Sequence, residues 1–170
     1  QRSLARPLGR GPAGVFTFLV VEYFDELAFT IIGVAMPFVR DSLGLDYAQV
    51  GLLFGLPAIL AAVLEPAVLL LGDSPLRARL IVLGGVVLGL AFLLVAGAES
   101  FAVLLLALTL SYPASGAFVS LTQATMIERH PARENEMMAR WTAAGTLGSL
   151  SGPVLFGAVA GGIVVATFTF

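Results

Sequence analysis

Five long apolar stretches dominate this chain, and each is long enough to cross a lipid bilayer. A helical crossing needs about 20 mostly apolar residues at ~1.5 Å rise each, and residues 13–39, 47–71, 80–98, 101–127 and 137–161 supply it. The runs are too long for barrel strands and show no period-two alternation, so strands are excluded. Short polar connections at 40–46, 72–79, 99–100 and 128–136 make successive helices antiparallel neighbours. The pattern predicts an all-α integral membrane protein, a helical bundle whose principal partner is the lipid bilayer.

Composition agrees. Hydrophobic residues fill 58% of 170 positions, charged residues only 12%, and mean hydropathy is +0.98, which leaves too little polar surface for a water-soluble globule. No cysteine is present, which removes disulfides, thiolate metal sites and cysteine nucleophiles. Every basic residue is arginine, and the formal net charge of -2 offers no broad basic surface for nucleic acid. Arg2, Arg6 and Arg10 ahead of an apolar stretch imitate a signal peptide, but the stretch is far longer than a signal h-region and contains acids.

The arginines also orient the chain. Arg2, Arg6, Arg10, Arg77, Arg79, Arg129, Arg133 and Arg140 fall on one side and Arg40 alone on the other, which predicts a cytoplasmic N-terminus. After Gly161-Gly162, residues 163–170 remain apolar, with no polar flank or basic anchor. The expectation is the start of a sixth helix, and a chain that is a fragment, a split half or a half-length protein.

Three charges stand where apolar residues belong. Glu22, Asp25 and Glu26 lie inside the first stretch, and their i, i+3, i+4 spacing groups them on one side of a helix. The thirteen residues from Leu27 to Val39 rise only about 20 Å, short of a hydrocarbon core of about 30 Å, so the acids belong within the membrane. A carboxylate there is costly, by ~2.5–3.5 kcal/mol on insertion scales. It must face a hydrated cavity, pair with a cation or take up a proton, and a carboxyl that loads and unloads a proton suits proton-coupled transport. Asp25, nearest mid-span, is the best single candidate; the plainer alternative is that all three line a hydrated vestibule or pair across helices. Glu65, followed by Pro66, is a second intramembrane acid. There a structural role, bonding to a carbonyl freed by the proline, weighs evenly against coupling.

The fourth stretch has a milder polar side: Ser111, Tyr112, Ser115, Ser120, Thr122, Gln123 and Thr125, with Ser111, Ser115 and Thr122 at helical spacing. Hydroxyls in membrane helices more often join helices than bind ligand, at about 1 kcal/mol each. Tyr112, Ser115 and above all Gln123 are the substrate-cavity candidates. Glycines four apart recur at Gly51/Gly55, Gly85/Gly89, Gly148/Gly152 and Gly157/Gly161, a spacing that lets helices approach closely. The single His130 lies in a charged loop. With no nucleophile–base cluster the chain reads as a non-enzyme, and no metal site or cofactor is indicated.

Two segments resemble the major facilitator superfamily. Leu71 to Arg79, LGDSPLRAR, is similar to the family loop motif GxLaDRxGRR between helices two and three. Asp73 and Arg77 match it and Arg79 follows, while Leu69, Ser74 and Leu76 replace the leading glycine, an arginine and the later glycine. In the family this loop belongs to a charge network that latches the two halves. Gly148 to Gly157, GSLSGPVLFG, resembles the antiporter motif GxxxGPxxGG at Gly148, Gly152, Pro153 and Gly157, with Phe156 in place of one glycine. The arginine that family antiporters carry in helix four has no counterpart; Ser111 or Tyr112 stands about where it falls. With the acidic first helix and the segment LGLDYAQVGLLFGL at 43–56, the chain looks like the bacterial efflux branch.

The resemblance implies one six-helix half of a transporter in the cell (inner or plasma) membrane, completed by a second copy or a separate C-terminal half. It implies proton-coupled efflux of a small apolar or cationic solute by alternating access, with the helix-one acids as the proton site. A symporter or uniporter for a small metabolite and a non-transporting membrane scaffold are the alternatives.

Overall fold

A computed structural model describes the backbone of residues 12–168 and the side chains of residues 14–161. Arg2, Arg6 and Arg10, which contributed to the predicted orientation, lie outside the described residues. The helices are α1 (Pro12–Leu43), α2 (Tyr47–Gly72), α3 (Arg77–Ala96), α4 (Phe101–Glu128) and α5 (Glu134–Phe168). No strand occurs among the described residues.

The helix ends follow local chemistry. Arg40 and Asp41 end the apolar stretch without ending α1, which runs on until Gly44 turns the chain at φ +64°, a conformation that suits glycine. Asp46 then caps α2 reciprocally: its carboxylate accepts from the Gln49 N–H at 2.7 Å, and the Gln49 Oε1 accepts from the Asp46 N–H at 2.9 Å. The Ser100 hydroxyl caps α4 at Val103. Where a sixth helix was expected to begin, the backbone passes Gly161-Gly162 without a break, and residues 163–168 prolong α5.

Among the described residues, four helical segments are long and apolar enough to span a membrane: Tyr47–Gly72, Arg77–Ala96, Phe101–Glu128 and Pro131–Gly161. The 32-residue α1 is long enough, but every 18-residue window in it carries three or more charged residues. Large apolar side chains such as Ile59, Val63, Leu70, Val82, Leu90 and Leu93 point outward, as lipid-facing surfaces do and water-facing ones rarely do.

The chain forms two compact units, residues 36–122 and residues 1–35 with 123–170. In the first, α4 packs against both α2 and α3, which touch each other little. Leu104, Ala107, Leu108, Ser111 and Ala114 repeat at three and four residues and form the buried stripe of α4. On the helices packed against it, Leu53 and Pro57 of α2 and Leu88 and Ala91 of α3 are buried. At Gly84 the α3 and α4 backbones nearly touch, since a Cβ there would lie 2.9 Å from both the Ala114 carbonyl oxygen and the Phe118 nitrogen. In the second unit, the described part of α1 up to Ala35 packs on α5 through a comparable line of glycines.

Gly84→Val should therefore force α3 and α4 apart at a cost of about 1–3 kcal/mol, read as a lower thermal midpoint in detergent. Gly89→Ala, at a position with nothing within 4 Å, should leave the midpoint near wild type.

Candidate functional site

The acids of α1 do not share one environment. Glu22 is buried, 9% exposed, with its carboxylate against Gly145 of α5: a Cβ on that glycine would lie 2.5 Å from Glu22 Oε1. The indole of buried Trp141 is within hydrogen-bonding reach of the same carboxylate. One turn on, Glu26 accepts a hydrogen bond from the Ser149 hydroxyl at 2.8 Å, and its stem lies beside Gly145 and Gly148. Glu22 and Glu26, four apart, thus face α5. Asp25 stands about 100° around the helix from Glu26 and is half-buried.

The glycines of α5 make this approach possible. A Cβ on Gly148 would overlap the Tyr23 carbonyl oxygen, and one on Gly152 would lie 2.9 Å from Thr30 Cβ. Trp141, Gly145, Gly148 and Gly152 fall at steps of four, three and four residues, a single stripe on one face of α5. Sequence reading found Gly148 and Gly152 and missed Gly145, Trp141 and Ser149, although that spacing was available to reveal the first two. The rest of the fifth-helix motif lies past the contact: Pro153 is exposed, and Gly157 has nothing within 4 Å. Of the paired glycines, Gly51, Gly55, Gly89 and Gly161 also face open space.

The loop motif residues separate as well. Asp73 caps the end of α2, and Arg77 opens α3 with its Nε donating to the Gly72 carbonyl at 2.6 Å and its guanidinium 3.3 Å from Asp73. These two motif positions are one structural pair that closes the α2–α3 turn, whereas Arg79 points outward. At the head of α5, Glu136 pairs with both Arg133 and Arg140.

Glu65 is not bonded to a freed carbonyl in the contact that defines it. A carboxylate needs a donor, and the Ser120 hydroxyl of α4 donates to Glu65 Oε1 at 3.0 Å. The hydroxyls at buried Ser111 and Thr122 turn back to their own helix, at the Leu108 and Phe118 carbonyls. The expected alignment of Ser115 with Thr122 is also altered, because residues Gly116–Ser120 form a π-helical turn between them. Each residue rotates a helix by about 100°, and the wide turn holds one more than α-helical spacing allows. Tyr112 and Ser115 are half-buried. Gln123 donates to the Met138 sulfur at 3.7 Å, a weak acceptor for an amide. Among the described residues, no group of three or more His, Cys, Asp or Glu side chains is placed to hold a metal ion.

Apolar helices with outward-facing aliphatic side chains and acids seated against a glycine stripe define a multi-pass, all-α membrane protein. The family model of the Major Facilitator Superfamily matches residues 19–170, and the chain belongs to that family of membrane transporters. A search of curated proteins found no match.

Gly148→Leu should disrupt the contact between α1 and α5, giving a markedly lower thermal midpoint. Gly157→Ala should be tolerated. Trp141 is the only tryptophan, so intrinsic fluorescence gives a local readout: its emission should shift in Glu22→Gln and Gly148→Leu and stay unchanged in Gly157→Ala.

Proposed function

We propose that this chain works in proton-coupled antiport, moving a small apolar or cationic solute out of the cell by alternating access, as in the bacterial efflux branch of the family. The reading rests on the three carboxyls of α1. Glu22 and Glu26 are engaged by Trp141, Gly145 and Ser149 of α5, and Asp25 stands on an adjoining face, half-buried within the apolar length of the helix. In this division of labour Glu22 and Glu26 hold α1 to α5, and Asp25 loads and releases the proton. An acidic group in a hydrated cavity also draws cations, and apolar walls suit amphiphilic cargo. Tyr112, Ser115 and Gln123 are proposed to contact that cargo.

Alternating access in such transporters is the rocking of one helical half against another around a site near the bilayer midplane. A second copy or a separate C-terminal half is therefore proposed to complete the cavity. The setting is the cell membrane, with the N-terminus in the cytoplasm, as the arginine distribution supports.

The test is reconstitution into liposomes with a pH-sensitive dye inside, an imposed pH gradient, and tetraphenylphosphonium as a lipophilic cation probe. Native protein should show probe-dependent proton movement, and Asp25→Asn should reduce it to the leak of empty liposomes. Unchanged proton movement in folded Asp25→Asn would remove Asp25 from the mechanism. Probe transport with no accompanying protons would favour uniport instead.

A further inference from the structure

Glu65 reaches α4 at an unusual place. Its carboxyl lies near Gly116, with room for a Cβ that would sit 3.7 Å from Oε1, and it accepts from Ser120 at 3.0 Å. Gly116 and Ser120 are the first and last residues of the π-helical turn. The turn also packs on α3, where Gly84 and Gly85 leave room for the Phe118 backbone and ring: Cβ atoms there would lie 2.9 Å from the Phe118 nitrogen and 3.1 Å from its ring. Pro113, just upstream, supplies no N–H for the helical ladder. The wide turn packs its backbone on α3 and is bonded to α2 through the Glu65 carboxyl at its last residue, Ser120.

A π-turn and an α-turn over the same residues differ in where everything beyond them points. Converting one to the other would rotate the following residues by about one helical step, ~100°, relative to Tyr112 and Ser115. Packing at Gly84 restrains the backbone position, and the Glu65–Ser120 hydrogen bond restrains the end of the turn. Hydrogen bonding of this kind needs an acceptor at Oε1 and does not need a charge or a removable proton.

We infer that Glu65 is a positioning residue: as acceptor for Ser120 it holds the π-turn of α4 and thereby sets the rotation of the helix's polar side beyond residue 115. The inference rests on the transporter reading for its functional consequence and on geometry alone for its structural one. It removes Glu65 from the proton path and assigns it to the alignment of the solute-facing helix.

The experiment is hydrogen exchange by mass spectrometry on the full chain in nanodiscs, comparing Glu65→Gln, Glu65→Leu and Ser120→Ala with native protein. Glutamine keeps the acceptor and cannot carry a proton, so Glu65→Gln should exchange like wild type over 116–121. Glu65→Leu and Ser120→Ala should both accelerate exchange there by roughly tenfold, the effect of losing one part-buried hydrogen bond, with no change in the 145–152 segment. In the liposome assay Glu65→Gln should keep the native pH profile of proton movement. Equal acceleration in Glu65→Gln and Glu65→Leu, no acceleration in folded Glu65→Leu, or a pH profile displaced by Glu65→Gln would each overturn the inference. Absence of proton movement in the native protein would count against the transport reading and leave the exchange result to stand by itself.

Discussion

Charge inside an apolar helix is the constraint to which this structure answers. Glu22, Asp25 and Glu26 interrupt the apolar length of α1, and a carboxylate buried without a partner costs several kcal/mol. The response at Glu22 and Glu26 is close approach: three buried glycines on α5 let that helix come near enough for Trp141 and Ser149 to supply donors. Small residues and polar residues on α5 are thus parts of one solution. Without the glycines the donors stand too far away, and without the donors close packing buries charge with no partner.

The unit formed by residues 36–122 applies the same logic in reverse. There α4 supplies the hydroxyl and α2 supplies the acid, at Ser120 and Glu65, while Gly84 of α3 provides the close approach. The small residues Ala107, Ser111 and Ala114 keep α4 slim along its buried stripe. The Asp73–Arg77 pair closes the adjoining turn and satisfies the Gly72 carbonyl at the end of α2. Family motif residues in this loop therefore have a local structural task.

Much of this was legible in the residues. Helix-forming apolar runs predicted α2 and α4 to within a residue of their observed ends, because a stretch of that length and hydropathy has few other solutions. The loop and fifth-helix motifs pointed to the family. Finer features were hidden for physical reasons. Four glycine pairs share one spacing, and only a partner helix decides which of them pack; Gly148/Gly152 do, while Gly51/Gly55 face open space. The π-turn is unmarked because Gly116–Ser120 suits an α-helix as well, and it rotated Thr122 out of the expected alignment with Ser115. Arg40-Asp41 looked like a helix end because polarity and chain geometry were read together, whereas the turn waits for Gly44. Proximity of Glu22, Asp25 and Glu26 in sequence likewise concealed that Glu22 is buried against Gly145 while Asp25 is half-buried.

The proposed function turns on the exchange of a proton on an α1 carboxyl for a small apolar or cationic solute. Its most direct measurement is proton release from detergent-solubilised protein in weak buffer on addition of tetraphenylphosphonium. Release that saturates with binding in native protein, and is absent in Asp25→Asn, is the predicted result. Saturable binding of the cation with no proton released at any pH would contradict it.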